Sequence, residues 1–345
     1  MVEVKWKVLF PNKVSVLVFI FYIVLFVNQG ILVTASQSLD NNYNYDIAAV
    51  VLLTEALKLW ICTLLYCKDN SISNLFHAVL KSRKVMGLYF IPAFLYCLYN
   101  NLSFIDLAVF DPTTYYLMLQ LRVVVTAVLF QLIFRKKLTT LQWISLLLLT
   151  CGCMLKQVNL FNWETGSRNE HKKSFHLNFD LYTIYILVQV FCSCLAGVYN
   201  EYLLKEPGAT VDIYIQNIFM YLNSIVCNSL LLLIEGNILN VFTWESLKII
   251  FEYKVVLVMV NNAAIGIITS FFLKNLNSIL KTFASALELI LTAVFCYILF
   301  GIPIYVNTVL SILVVMVAIV LYSQNPVLNV ARKNDKEDEL LMEKV

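Results

Sequence analysis

Residues 111–137 read DPTTYYLMLQLRVVVTAVLFQLIFRKK. Pro112, a residue suited to the first turn of a helix, opens an apolar run that is broken by Arg122 and stops at the basic residues 135–137. This pattern predicts a membrane-spanning helix over 112–134 with one charge inside it. Because an arginine at mid-membrane depth costs about 2.5–3.5 kcal/mol, we expect Arg122 to serve a function.

A similar pattern occurs in the second half of the chain. The sequence TAVLFQLIF begins at Thr126, and TAVFCYILF begins 166 positions later at Thr292. Under that shift, the polar residues Tyr115, Arg122 and Thr126 align with Lys281, Glu288 and Thr292. Spacings of seven and then four residues place each set on one helix face. We interpret this as an internal repeat whose two polar faces meet inside a membrane bundle.

The composition is that of a polytopic membrane protein. Of 345 residues, 60% are hydrophobic and 14% are charged, with a mean hydropathy of +0.78, whereas a soluble domain carries about 25% charged residues. The nine cysteines lie in or beside apolar stretches, so we expect neither disulfides nor a metal site. The chain lacks P-loop, HExxH and GxSxG motifs, which argues against an ATP-driven pump and an enzyme, and no cofactor is expected.

Hydropathy predicts an all-α protein with ten membrane spans. The spans run near 14–34, 47–66, 85–110, 112–134, 141–156, 181–204, 212–235, 255–273, 279–300 and 303–323. An alternative count merges or splits the spans around 273–280, where the connection is brief.

Basic residues in short connections predict the orientation. The basic residues that indicate it precede the first span or follow an even-numbered span: Lys5, Lys7, Lys13, Lys68, Lys81, Arg83, Lys84, Arg135, Lys136, Lys137, Lys205, Lys274, Arg332, Lys333 and Lys336. Both termini are therefore expected in the cytosol, and five spans per half make the halves antiparallel, as in an inverted repeat. The expected parts are a cytosolic N-terminus (1–13), a first five-helix half (14–157), a lumenal connection (158–180), a second half (181–323) and a cytosolic tail (324–345).

Several spans contain polar residues that are candidates for a binding site. Glu55 and Lys58 are three residues apart on the second span, where they form either a structural salt bridge or a functional pair. Arg122 and Lys281 come from opposite halves, and Glu288 could neutralise only one of them. Two such cations in a membrane cavity suit an anionic ligand with phosphate groups. The aromatic residues available to stack on a base or sugar are Tyr96, Tyr99, Tyr115, Tyr116 and Tyr221.

Several motifs, in order along the chain, resemble those of the nucleotide-sugar transporters. They include TEALKL, YCLYNN, LQWISLLLL, LAGVYNEYLLK, QNIFMYL and ILKTFASAL. The branch is that of the CMP-sialic acid, UDP-galactose and UDP-N-acetylglucosamine carriers, within the drug/metabolite transporter superfamily. The segments FDPTTYYL, QLRVVVT, SCLAGVYNEYLLK and NNAAIGI are most similar to UDP-galactose carriers.

The resemblance implies a multi-pass Golgi membrane protein that imports UDP-galactose into the lumen in exchange for UMP. It implies that Arg122 and Lys281 bind phosphate and that Glu55 and Lys58 act as a pair. The residues that the resemblance implies as further nucleotide contacts are Tyr96, Asn100, Tyr115, Asn217, Tyr221 and Thr269.

Three departures from the family pattern bear on the substrate. Arg122 replaces the usual lysine, Glu288 replaces a small apolar residue, and Asn223, a further candidate contact, stands where serine is usual. The alternatives are a carrier of UDP-N-acetylglucosamine or CMP-sialic acid, a non-transporting membrane scaffold that binds a nucleotide sugar, and an exporter of organic cations or amino acids. The expected partners are the nucleotides and the lipid bilayer, not nucleic acid. A homodimer or an association with Golgi glycosyltransferases stays open.

Overall fold

A computed structural model of the chain describes residues 9–36, 47–109, 115, 118–157, 181–234, 243–300 and 306–327. The predicted lumenal connection (158–180) and most of the predicted cytosolic tail lie outside these residues. The described part consists of helices and connections without a strand. The helices are α1 (Lys13–Ser36), α2 (Ile47–Asp69), α3 (Ile72–Lys81), α4 (Arg83–Leu88), α5 (Phe90–Val109), α6 (Arg122–Phe134), α7 (Thr140–Gln157), α8 (Leu181–Lys205), α9 (Ile213–Ile234), α10 (Trp244–Ile250), α11 (Tyr253–Asn275), α12 (Ser278–Phe300) and α13 (Val306–Gln324).

The long helices follow the predicted spans in order along the chain. Among the described residues, six helices are long and apolar enough to cross a membrane: α2, α8, α9, α11, α12 and α13. Shorter apolar stretches occur in α1, α6 and α7. The fold is therefore that of an all-α polytopic membrane protein, as the composition predicted.

The predicted fourth span is not one continuous helix. Helix α6 begins only at Arg122, directly after a tight turn at Gln120 and Leu121. In this turn the Leu121 N–H donates to the Met118 carbonyl at 3.1 Å, and the Val123 N–H donates to the Gln120 carbonyl at 3.2 Å. The turn interrupts the 3.6-residue period just before Arg122, and because residues 116–117 lie outside the described residues, a single helix face from Tyr115 through Arg122 stays a prediction.

The predicted third span is also divided. A short helix, α4, ends at Leu88, and α5 starts at Phe90 after the single residue Tyr89. Pro92 explains the break, since it has no N–H to donate to the Leu88 carbonyl and its ring would clash with that carbonyl in a continuous helix. Proline is tolerated here because it lies in the first turn of α5.

Helices from the two halves of the chain pack mainly against each other. Helix α1 packs on α11 and α12, α2 on α9 and α11, α5 on α8 and α9, α6 on α8 and α12, and α7 on α13. The first to fifth long helices of the first half (α1, α2, α5, α6 and α7) correspond in order to those of the second half (α8, α9, α11, α12 and α13). When each helix is replaced by its counterpart, the same set of packing pairs results. For example, the α1–α11 pair corresponds to the α8–α5 pair. The largest hydrophobic core combines residues of both halves.

A buried ion pair connects the end of α8 to the start of α12. Lys205 Nζ lies 2.7 Å from Glu201 Oε1, and their side chains are 1% and 0% exposed. Lys205 also donates to the Leu276 carbonyl. Glu201 Oε2 accepts from the Ser278 N–H at 2.7 Å and from its hydroxyl at 2.5 Å. Lys205, which the sequence places at the end of the sixth span, is thus the last residue of α8 and is buried, and its carboxylate partner one helical turn away compensates the charge.

The connection between α11 and α12 is fixed by the same network. Only residues 276–277 separate the two helices, and Asn277 Oδ1 accepts a hydrogen bond from the Leu280 N–H at 2.8 Å. An asparagine in this position caps a helix N-terminus by satisfying an otherwise unpaired backbone donor. The brief connection thus separates two distinct helices and excludes the merged span.

We predict that breaking one side of the Glu201–Lys205 pair destabilises the protein more than neutralising both sides. Lys205→Met leaves an uncompensated buried carboxylate, for which we expect a loss of about 3–5 kcal/mol. The double variant Glu201→Gln/Lys205→Met removes both charges and keeps an acceptor for Ser278, so it should recover part of this loss. Thermal unfolding in detergent measures both variants, and a double variant less stable than Lys205→Met would contradict the expectation.

Candidate functional site

Two adjoining cavities lie between the helices, and Lys281 lines both of them. The larger cavity has a volume of about 260 Å³ and the smaller one about 100 Å³. Lys281 lies in the first turn of α12, close to the Glu201 network that fixes where this helix begins. The two cavities therefore form one site in two compartments that meet at a single cation.

The larger cavity is formed by α2, α5, α8, α9, α11 and α12. Its lining residues are Val51, Glu55, Lys58, Tyr96, Cys97, Asn100, Asn200, Met220, Tyr221, Ser224, Asn228, Gly266, Thr269, Ser270 and Lys281. Aromatic rings, amides and hydroxyls dominate this lining. Such a surface offers stacking and hydrogen bonding in both donor and acceptor directions.

Lys58 is held in a defined place in the larger cavity. Its ammonium lies 2.7 Å from Glu55 Oε1, so the predicted pair forms an ion pair. The same nitrogen lies 5.6 Å from the centre of the Tyr221 ring. Gly266 makes room for this side chain, because a Cβ there would lie 2.7 Å from Lys58 Cε. The side chain is thus confined by a carboxylate, a ring and a bare backbone.

Helix α9 contributes two buried polar side chains, Asn217 and Tyr221. The Tyr221 hydroxyl and the Asn217 side-chain nitrogen make no hydrogen bond within the described part of the chain. Tyr221 is 4% exposed and lines the larger cavity, whereas Asn217 is 2% exposed and lines neither cavity. A buried hydroxyl without a partner carries a desolvation penalty, which a ligand hydrogen bond would relieve.

The smaller cavity is formed by the turn before α6 and by α6, α7, α8 and α12. Its lining residues are Gln120, Arg122, Val123, Thr126, Cys153, Ser193, Cys194, Gly197, Val198, Ser278, Lys281, Thr282, Ser285, Ala286 and Leu289. The interrupted fourth span thus places Arg122 at the start of a helix beside the cavity. The Cys194 thiol, at 3.3 Å, donates to the Arg122 carbonyl and ties this helix start to α8.

The charges in the smaller cavity are of one sign. Arg122 and Lys281 line it, and no carboxylate of the described residues does. The predicted neighbour Glu288 lines neither cavity. Thr126, Ser193 and Ser285, whose side chains carry hydroxyl groups, line the same cavity. Two cations among hydroxyl donors form an environment suited to phosphate oxygens.

The structure brings most of the predicted site residues together. Those that line one of the two cavities are Glu55, Lys58, Tyr96, Asn100, Arg122, Tyr221, Thr269 and Lys281. The residues that line neither are Tyr115, Asn217 and Asn223.

Tyr115 and Asn223 instead make contacts within the protein. The Tyr115 hydroxyl accepts a hydrogen bond from Gln189 at 2.8 Å and is buried. The Asn223 amide donates to the Met86 carbonyl at 3.0 Å and to the Phe219 carbonyl at 2.9 Å. Asn223 lies two positions after Tyr221 on α9, about 200° around the helix, so it points away from the cavity that Tyr221 lines.

Sequence reasoning missed several small polar residues of the site. Ser278, Thr282 and Ser285 recur at helical spacing around Lys281 on α12, which is the signal that could have found them. Gln120 lies in the turn that interrupts the fourth span, so a regular helical spacing could not predict that it lines the smaller cavity. Asn200 and Asn228 lie in otherwise apolar helices beside the polar residues Glu201 and Ser229, and only the packing of those helices shows that they face the larger cavity.

Comparison with known proteins identifies the family of the chain. The sequence profile described as "Nucleotide-sugar transporter" matches residues 12–323. The chain is 54% identical to the UDP-galactose transporter senju of Drosophila melanogaster over 351 residues, covering 95% of this chain and 90% of that protein. It is 31% identical to CMP-sialic acid transporter 1 of Oryza sativa subsp. japonica, covering 87% and 91% of the two chains. CMP-sialic acid transporter 1 of Arabidopsis thaliana is 30% identical, with coverage of 87% and 86%.

A solved crystal structure shares the fold. It superposes with a TM-score of 0.62 at 12% identity and covers 90% of this chain and 96% of its own. At that identity the likeness concerns the fold alone. The family match and the relatives concern the function. The chain is therefore a membrane transporter, not an enzyme, and belongs to the nucleotide-sugar transporter family.

Proposed function

We propose that this protein imports UDP-galactose into the Golgi lumen in exchange for UMP. The observation that carries the proposal is the cavity lined by Arg122 and Lys281, which suits a diphosphate. The choice of UDP-galactose rests on the 54% identity to a relative named as a UDP-galactose transporter. The Golgi location and the exchange for UMP rest on the family resemblance.

The two compartments suggest how the substrate is held. The nucleoside occupies the larger cavity, where Tyr96 and Tyr221 offer rings and Asn100 offers an amide. The phosphates lie at Lys281, where the cavities meet, with Arg122 on the far side. The guanidinium of Arg122 donates in a fork that matches two phosphate oxygens, whereas the Lys281 ammonium acts as a point charge. UMP shares the nucleoside and one phosphate, so it competes for the same contacts.

Exchange across a membrane requires the site to open to each side in turn. The pairing of helices between halves supports two inverted five-helix repeats, because exchanging the halves reproduces the main packing pairs. The cations come one from each half, so a change in how the halves pack would alter the site directly. Ten spans with both termini in the cytosol remain our assignment, supported by the basic residues in the short connections.

A CMP-sialic acid carrier is the second candidate. The observation that favours it is the 31% identity, over most of the chain, to proteins named as CMP-sialic acid transporters. UDP-N-acetylglucosamine is a third possible cargo, and a scaffold that binds without moving its ligand is the non-transporting alternative. A homodimer and an association with glycosyltransferases are compatible with each of these functions.

We expect purified protein in liposomes preloaded with UMP to take up labelled UDP-galactose. Uptake should depend on internal nucleotide, since an exchanger returns one anion for each that enters. Liposomes without internal UMP serve as the control. A folded protein that binds UMP but moves none of a panel of UDP and CMP sugars would contradict transport and favour the scaffold.

We expect Arg122→Ala and Lys281→Ala each to weaken UMP binding about ten-fold or more. Each substitution removes a charge-assisted contact worth about 1.5–3 kcal/mol. Arg122→Lys is the matched control, because it keeps the positive charge but loses the forked pair of guanidinium donors. It should retain more affinity for UMP than Arg122→Ala. Binding is measured by isothermal titration on protein whose unfolding temperature is unchanged. Normal UMP affinity in both alanine variants would place the phosphates elsewhere.

We expect UMP to compete with UDP-galactose uptake about ten-fold better than CMP. Uracil and cytosine differ at one hydrogen-bonding edge, and a mismatched buried edge costs about 1–3 kcal/mol. If the Asn100 amide hydrogen-bonds to that edge, Asn100→Ala should raise the inhibition constants of both UMP and CMP to similar values. Equal competition by CMP in the unmodified protein would instead support the CMP-sialic acid carrier.

A further inference from the structure

Helix α3 exposes an apolar stripe at the edge of the bundle. Ile72, Phe76 and Leu80 recur every four residues, so they lie along one side of the helix. Their exposed fractions are 63%, 65% and 70%. None of the described residues covers this stripe, although it consists of three large side chains. An apolar surface of this kind, rimmed by polar residues, is typical of a membrane or protein contact.

The other edge of the same apolar surface anchors α3 to the protein. Leu75, Ala78 and Val79 pack against a core cluster around Tyr89 and Phe219. The helix therefore has a fixed orientation, with one apolar edge on the bundle and the other facing outward. Ser71 caps the N-terminus of α3, because its hydroxyl accepts a hydrogen bond from the Asn74 N–H at 3.2 Å.

The position of α3 in the chain places it at the membrane surface. It begins three residues after α2 ends at Asp69, and α5 starts nine residues after it ends at Lys81. Because α2 is long and apolar enough to cross a membrane, its end marks the boundary of the bilayer. A helix of ten residues held at that boundary, polar on one face and apolar on the other, suits the plane of the interface.

The polar surroundings of α3 are strongly basic. Lys68, Lys81, Arg83 and Lys84 are all exposed, and no carboxylate of the described residues forms an ion pair with any of them. The exposed anion within this stretch is Asp69. Four cations beside an interfacial helix attract anionic headgroups, because each gains electrostatic energy close to a negative membrane surface.

We propose that α3 is an interfacial helix that binds anionic phospholipid. The side chains of Ile72, Phe76 and Leu80 insert among the acyl chains, and the cations of residues 68, 81, 83 and 84 contact the headgroups. Insertion of the stripe and attraction by the cations reinforce each other, since both require the helix to lie flat at the same depth.

A second copy of the chain is a poorer occupant of this face. Three side chains offer well under the roughly 800 Å² per partner that a stable interface buries. A two-fold dimer through α3 would also bring two sets of four cations together, which would repel each other. An anionic lipid layer satisfies both the apolar stripe and the charge.

The test introduces a reporter into the stripe. Phe76→Trp protein is reconstituted into phosphatidylcholine containing a minor fraction of phosphatidylserine, with bromine on the acyl chains of one lipid or the other. We expect the added tryptophan emission, relative to the unmodified protein, to be quenched. At equal amounts of brominated lipid, phosphatidylserine should quench several-fold more strongly than phosphatidylcholine.

Charge variants separate headgroup binding from simple lipid contact. In Phe76→Trp protein that also carries Lys68→Gln, Lys81→Gln, Arg83→Gln and Lys84→Gln, the preference for phosphatidylserine should disappear. Lys248→Gln/Lys254→Gln, which neutralises two exposed lysines in α10 and at the start of α11, is the control and should keep the preference. Equal quenching by both lipids in Phe76→Trp alone would overturn anionic binding. No quenching by either lipid would show that protein, such as a second copy, covers the face.

Discussion

Positive charge inside an apolar bundle is the constraint on which this structure depends. Removing a cation from water is expensive unless nearby groups replace its hydration. The described part of the chain meets this requirement in two ways. Lys58 and Lys205 each lie 2.7 Å from a carboxylate within one turn of their own helix. Arg122 and Lys281 instead line a polar cavity among hydroxyl groups, where an anionic substrate would complete their environment.

The paired charges support the place of the cavity cations. Glu201 holds Lys205 and accepts hydrogen bonds from Ser278, and Asn277 caps the same helix start. Lys281 lies one turn further along, so this network determines where its ammonium enters the site. The Glu55–Lys58 pair has a comparable effect on the larger cavity, where Gly266 provides the space that Lys58 occupies. The ion pairs of the bundle thus shape the site.

Packing between the two halves links the fold to transport. The main helix pairs join one half to the other, and the site takes Arg122 from the first half and Lys281 from the second. A ligand that contacts both cations is therefore sensitive to how the halves are arranged. This is the physical basis on which exchange of a nucleotide sugar for a nucleotide can be coupled to movement of the bundle.

The sequence by itself determined the class and the order of the helices, and it predicted eight of the residues that line the two cavities. Hydropathy and charge pattern are local properties, so they predicted a helical membrane bundle, the Glu55–Lys58 pair and the importance of Arg122 and Lys281. Only the tertiary structure decided that the helix of Arg122 begins at that residue and that Lys205 is buried. It also decided that Asn223 faces Met86 rather than the cavity that Tyr221 lines. These features depend on backbone turns and on partners far away in the chain, because a periodic pattern shows which residues share a face but not what that face meets.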